Sequence, residues 1–519
     1  MDMKKKLLLS MILLALCLIQ ASADTYYFKI QLSNEKGEPG AWSNYIEVSH
    51  DDQKLVYHNG LRDLINGKTV KDEGDGKGNG IKEYTLPKKD NKVDLDRIYG
   101  IAFANGKGKD NNAKQQNIME GDEYDAWKEI RGRIKYLGLR DYIRDSYNDN
   151  SYFMYMDNVE ELELPKDGMN VGSGDNDGKW YFANAHKLNK ITIWSDVKGD
   201  AVDITDDAVT DITNKKLLNI VGKLMFANCW ALSTKYINRL IKDVKEIKDN
   251  AFFADDDNRK FLSDEADNKM AIEIPSSVKK IGSQAFYNRV RVTGLTIHGN
   301  VDGLEIGSEA FRRCEQLHTL NLDNAKITSL GTGVFGDCRS MTNEFVNGVL
   351  ENYAAYGKIK KIPAYLFFGC NGQDGSVGNK TVCSFTELNI PAQFTEIGDG
   401  AFASTGDAVI KLKTITVNRE TAPLCLCGET DKYGNITNKR VFDGLEPNMT
   451  TVIFANDADS WYENEKPDET TGFLTYMNDG SEFQRLLTKD LYSDKAEYIN
   501  VPQQHAIVRL HRTLKEGWN

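Results

Sequence analysis

Four cysteines in this chain stand at one fixed distance from a phenylalanine. Cys229 follows Phe226 by three residues, and Cys314, Cys338 and Cys370 follow Phe311, Phe335 and Phe367 in the same way. Thiols bind metal, form disulfides or act as nucleophiles, and each use needs its own arrangement of partners. Identical register points instead to packing: a free Cys is small and apolar enough to fill a repeated buried position. These four are therefore expected to be buried and reduced. Of the remaining thiols, Cys425 and Cys427 lie too close in sequence for a good mutual disulfide. They could pair with distant partners, as could Cys383.

Other chemistry is sparse. The segment 72–83 has the length of a calcium loop, but Gly74 and Gly76 stand where oxygen ligands are needed. The segment 173–184 places Asp175, Asp177 and Gly178 correctly yet ends in Asn184, so both segments are expected to be Gly/Asp turns. The seven histidines are scattered, and there is no G-x-S-x-G, H-E-x-x-H, phosphate-binding glycine loop or C-x-x-C pair. Acidic pairs are common in a chain with 77 Asp and Glu and single out no site. A glycosidase needs only two carboxylates, which any fold could supply, and that is the remote enzymatic alternative. The expectation is a protein without catalysis, cofactor or metal.

What must position these residues is a repeat. Aligned on phenylalanine, the phrase occurs as "VGKLMFANC" (221–229), "IKDNAFFAD" (247–255), "IGSQAFYNR" (281–289), "IGSEAFRRC" (306–314), "LGTGVFGDC" (330–338), "IPAYLFFGC" (362–370) and "IGDGAFAST" (397–405). "GKWYFANAHKL" (178–188) is a worn copy, with weaker echoes at "IYGIAFANG" (98–106) and "RVFDG" (440–444). Between copies lie segments with apolar residues at alternate positions, among them "VEELELP", "LNKITIW", "LHTLNLDNA" and "LKTITVN". Alternation is the period of a strand. A repeat of 24 to 35 residues implies a solenoid, in which each turn buries its Ile and Phe only against its neighbours and the strands form a parallel ladder. On that ladder the alternation places Glu163, Thr192, Glu273, Thr296, Asn321, Asn389 and Thr416 outward in one extended row, with Trp194, His298 and His318 at its edge. A polar, mostly uncharged row with a few rings suits a glycan or an extended protein segment.

"IPSSVKKIGSQAFYN" (274–288) resembles the BspA-like leucine-rich repeats of bacterial surface proteins. The resemblance covers about residues 150–420. The tail, "VNRETAPLC", "VFDG" and "TTVIFANDADSWYEN", is similar to the closing unit of such proteins, where a short strand precedes a Ser/Tyr-bearing helix. The resemblance implies a leucine-rich-repeat solenoid used for surface adhesion, with some relatives binding host matrix proteins. Irregular repeat lengths and a long preface set this chain apart.

The ends complete the organisation. Lys4, Lys5 and Lys6, the apolar stretch 7–19 and "ASA" (21–23) form a signal peptide expected to be cleaved after Ala23. Leu16 is bulky where a lipid-attachment site at Cys17 would take a small residue. Without residues 1–23 the formal charge moves from −12 to −14, a poor match to nucleic acid or an anionic membrane surface. No later apolar run is long enough to span a membrane. Residues 24–149 are expected as a β-rich preface, with a helix across 123–138 that turns Trp127, Ile130, Ile134 and Leu137 to one side. Residues 150–418 form the solenoid, and 419–519 a degenerate repeat and cap. A secreted or cell-surface protein that recognises an extracellular protein or glycan is expected. The alternative is a spacer or subunit of a surface assembly, with recognition confined to the preface.

Overall fold

The computed structural model of the 519-residue chain describes residues 26–43, 46–51, 56–58, 60–72, 82–105, 121–141, 153–172, 174, 178–256, 271–370, 385–404, 412–418, 424–425, 441–442, 450–454 and 506–510. Residues 1–23, Asp175, Asp177, Cys383, Cys427, most of the 72–83 loop and the expected closing helix lie outside them. The chain divides into two compact units. The first takes residues 1–145, 155–166 and 190–203, and the second takes 146–154, 167–189 and 204–519. The segments 155–166 and 190–203, which repeat spacing groups with the solenoid, thus belong to the first unit.

The first unit is built on one sheet. Strand β1 (Tyr26–Ser33) pairs antiparallel with β2 (Ile46–Asp51) on one side and with β3 (Ile98–Asn105) on the other. From β3 the sheet turns parallel through β4 (Tyr136–Asp141), β5 (Glu161–Glu163) and β6 (Lys190–Ser195), and closes with antiparallel β7 (Asp200–Asp203). Phe28, Ile30, Ile101 and Leu137 are buried on its core side. Among the described residues, two α-helices belong to this unit, α1 (Leu61–Ile65) and α2 (Gly121–Ile130). The carboxylate of Glu123, fully buried on α2, accepts from the backbone N–H groups of Leu61 and Arg62 at 2.8 and 2.9 Å. It thereby caps α1, whose own N-cap, Gly60, has no side chain to do so.

Two sequence expectations change here. The helix predicted across 123–138 stops at Ile130, because Gly132 follows and "YLGLRD" alternates as a strand. Trp127 and Ile130 pack from α2, Ile134 from the connection and Leu137 from β4, so the apolar residues share a core without sharing a helix. The echo "IYGIAFANG" is strand β3, and its Phe103 meets Trp127 edge-on at 5.3 Å.

The second unit is a leucine-rich-repeat solenoid with parallel strands. Consecutive coils stack Phe182, Phe226, Phe252, Phe286, Phe311, Phe335, Phe367, Phe402 and Phe442, with centroids 5.1 to 5.9 Å apart. The backbone carries the same register. Phe286 N–H donates to Ala310 O at 2.8 Å and Phe311 N–H to Val334 O at 3.0 Å, and the other coils repeat the bond. Left-handed corners stand two residues before and after the ring, at Gln284 and Asn288 (φ 55° and 59°) and at Glu309 and Arg313 (φ 56° and 62°). These corners wrap the backbone tightly round the ring, a conformation costing a non-glycine residue roughly 1–2 kcal/mol. Asn and Gly recur there for that reason.

The thiols complete this inner stack. Cys229, Cys314, Cys338 and Cys370 are buried thiols. Each donates to the carbonyl of the preceding coil's phenylalanine: Phe182, Phe286, Phe311 and Phe335, at 3.2, 3.4, 3.1 and 2.9 Å. Burial pushes the Cys229 and Cys314 thiols up to about 12. Arg289 occupies the same register in its coil. Its Nε donates to Phe252 O at 2.7 Å, and its longer reach takes Nη1 to Cys229 O at 3.0 Å. Desolvation lowers this buried guanidinium to about 10.

Candidate recognition site

The described strands of the second unit form four parallel sheets. One of them holds the alternating segments β8 (Ala271–Ile274), β9 (Gly294–His298) and β10 (Thr319–Asp323), paired parallel in strict register. Ile272, Ile274, Leu295 and Ile297 point into the core. Glu273, Thr296 and Asn321 are register partners on the opposite face. Glu273 and Asn321 are exposed and Thr296 is half-buried. A further ladder follows, with β11 (Glu387–Ile390), β12 (Thr414–Val417), β13 (Thr450–Phe454) and β14 (Ala506–Leu510). It aligns Asn389 with Thr416, both half-buried.

These residues do not form one extended row. Glu163, Thr192 and Trp194 belong to the first unit. Within the second, helices replace strands in two coils: α3 (Thr234–Ile241), before β8, and α4 (Asn343–Tyr356), between β10 and β11. Their sequences explain the change. Tyr236, Ile237, Leu240 and Ile241 are buried in α3, and Phe345, Val346, Val349, Leu350, Tyr353 and Ala354 in α4, a helical period rather than strand alternation. Thr342 caps α4 by accepting from Phe345 N–H at 3.2 Å.

A helix offers no ladder partners to an adjoining strand, and asparagines supply them. Asn238 on α3 accepts from Glu273 N–H at 3.0 Å and donates to Ala271 O at 2.9 Å. Asn347 on α4 accepts from Asn389 N–H at 2.8 Å and donates to Glu387 O at 3.3 Å. Asn352 serves Ile327 N–H and Ala325 O, each at 2.9 Å. The carboxamide has the donor and acceptor of a peptide group, so it satisfies a strand edge as another strand would.

In the first unit, Glu163 and Thr192 are register partners as expected, but they are buried, not outward. Tyr136 donates its hydroxyl to Glu163, and Arg140 Nε reaches the same carboxylate at 2.5 Å. The Arg140 guanidinium also lies 4.2 Å over the Trp194 ring, and Trp42 meets Tyr136 edge-on at 5.3 Å. Rings and a guanidinium therefore cover this strand face. Burial, reinforced by the Glu163 charge, holds the Tyr136 phenol far above its ordinary range.

The open face of β8–β10 continues into a hollow beyond the strand ends. It is an open hollow of about 500 Å³, lined by Pro275, Ser276, His298, Gly299, Asp323 and Asn324. His298 and Asp323 are register partners, with Nδ1 and Oδ2 3.2 Å apart. His318 is exposed at the start of β10, its Nδ1 2.7 Å from Gln316 O. Only His298 of the hollow's lining was expected from the alternation. The other five follow a strand or stand at its last residue, and alternation ranks only residues within strands. Among the described residues no group of three or more His, Cys, Asp or Glu could hold a metal ion, and no helix is long and apolar enough to cross a membrane.

The model for the BspA type leucine rich repeat region matches in six copies, across residues 149–258, 264–379 and 380–422. The chain belongs to the BspA-type leucine-rich-repeat family. No curated protein matches it. Among solved structures, a leucine-rich repeat protein from Bacteroides ovatus ATCC 8483 is 17% identical with a TM-score of 0.29, over 62% of this chain and 59% of that one. The pneumococcal vaccine antigen PcpA is 13% identical with a TM-score of 0.22, over 56% and 67%. The TLR13–ssRNA13 complex is 12% identical with a TM-score of 0.19, over 64% and 45%. The chain thus spans less than two thirds of the first of these structures.

Proposed function

We propose that this BspA-type protein acts outside the cell as a non-catalytic recognition protein, and that the open face of β8–β10 is its binding surface. The observation that carries the reading is the register of Glu273, Thr296 and Asn321 on adjacent parallel strands, facing away from the core. His298 and His318 flank that face, and Asn389 with Thr416 form a second, smaller one. A rigid ladder holds such side chains at fixed spacing, which lowers the ordering cost of binding an extended partner. Leucine-rich-repeat solenoids serve typically as binding scaffolds, and BspA-like proteins are typically surface-exposed or secreted. Adhesion to an extracellular protein or glycan is the use that joins these points.

The test replaces Thr296 and Asn321 together by Arg. Capture of the chain by immobilised host matrix proteins and glycans should be abolished, with the circular dichroism spectrum and melting temperature unchanged. Survival of capture would move the binding surface elsewhere, with residues 24–149 as the next region to test.

A further inference from the structure

The hollow beyond β8–β10 has a chemistry more specific than that of the face beside it. Three consecutive coils contribute to it at equivalent places: Pro275 and Ser276 after β8, His298 and Gly299 at the end of β9, Asp323 and Asn324 at the end of β10. Gly299 keeps the middle of the floor low. A Cβ there would come within 2.9 Å of the Asn324 carbonyl oxygen.

Asp323 is the single anion of the lining, which contains no Lys or Arg. Its two oxygens are each fixed by one donor, Oδ2 by His298 Nδ1 at 3.2 Å and Oδ1 by the Asn324 amide at 3.2 Å. A carboxylate held in this way keeps further acceptor positions on both oxygens. The other ring nitrogen of His298, Nε2, is a further hydrogen-bonding group at the same edge. The exposed Ser276 hydroxyl and the Asn324 amide each offer a donor and an acceptor.

We propose that this hollow binds an uncharged sugar residue, with vicinal hydroxyls donating to the two oxygens of Asp323 and a further hydroxyl exchanging hydrogen bonds with Ser276 and Asn324. The inference rests on the recognition reading above and names the ligand class for its edge. Anionic ligands are disfavoured by a lining that carries a carboxylate and no Lys or Arg. A guanidinium would satisfy Asp323 but leave the Ser276 and Asn324 donors unanswered, whereas hydroxyl groups both donate and accept. The volume suits one or two sugar units, at the scale of small-molecule sites.

The experiment presents the full chain to immobilised trisaccharides of glucose, galactose, mannose and N-acetylglucosamine, to a sialylated trisaccharide, and to a short arginine-containing peptide. At least one neutral trisaccharide should be captured in preference to the sialylated one. Asp323→Asn should weaken that capture at least about tenfold, the scale of losing a charge-assisted hydrogen bond. Ser276→Ala, an exposed position that leaves the fold intact, should weaken it several-fold. Failure to capture any neutral trisaccharide, equal capture by both variants, or preference for the arginine peptide would overturn the assignment. Capture of matrix protein that is lost in the Thr296/Asn321 double variant, alongside no sugar binding, would reject the sugar site and leave the recognition reading standing. Loss of neither would reject both.

Discussion

The two units place the same kind of residue at the same kind of strand position and treat it in opposite ways. Glu163 and Thr192 in the first unit, like Glu273 and Thr296 in the second, are adjacent register partners opposite the core face. In the first unit Tyr136, Arg140 and Trp194 cover that face, and its carboxylate has become part of the interior. Among the described residues of the second unit nothing comparable covers Glu273, and the face ends in a polar hollow. Alternation thus decides which side of a strand a residue occupies. Solvent access depends on what lies over that side, and side chains from neighbouring strands supply the cover.

The largest expected effect tests the side both ladders bury. Phe311→Ala removes a fully buried ring between Phe286 and Phe335 and should cost about 3–5 kcal/mol in chemical denaturation. A midpoint that does not move would refute the stacking register.

Alkaline pH probes the same interior. The Cys314 thiol is raised by burial from 9.0 to about 12, so between those values the unfolded chain releases a proton that the folded chain keeps. Its contribution to stability is present below pH 9 and declines as pH rises toward 12. In Cys314→Ala the fall of stability with pH across this window should be shallower than in the parent chain. An unchanged slope would place that thiol in contact with water.

The comparison itself is tested by a pair of substitutions. Glu163→Ala strips hydrogen bonds from Tyr136 and Arg140 and should cost about 1.5–3 kcal/mol, the scale of bonds to a charged group. Glu273→Ala, on the exposed counterpart, should stay within about 0.5 kcal/mol. Equal losses in thermal melts would erase the distinction between a covered and an open face.

Asn238→Ala is expected to have a smaller effect than Glu163→Ala. It removes the surrogate peptide group from the edge of β8 and should cost about 1 kcal/mol. Amide hydrogen exchange should quicken at Glu273 while the core of β9 keeps its protection. Unchanged exchange at Glu273 would mean that the asparagine bond is dispensable.

Much of this architecture was legible in the chain. The distance from Ile306 to Phe311 to Cys314 is a packing requirement, because each coil must offer its neighbour the same apolar shape. It is visible without coordinates, as is the register that pairs Glu273 with Thr296 and Asn321. The two helices were legible too. "TKYINRLI" and "NEFVNGVLENYAAY" carry a helical period, and these helices interrupt the single row that strand alternation alone predicts. Across 123–138 the reverse holds: apolar residues at helical spacing continue past Gly132, where the backbone becomes a strand.

By itself, then, the sequence determined the period, the inward residues and the family, since these depend on contacts that every coil repeats. Which outward positions remain open was decided only in the tertiary structure. The burial of Glu163 depends on Tyr136 and Arg140, more than twenty residues away, and the hollow depends on three strand ends brought side by side. Repetition along the chain encodes contacts between like positions. Cover and cavities come from unlike residues, distant in sequence, that meet only when the chain has folded.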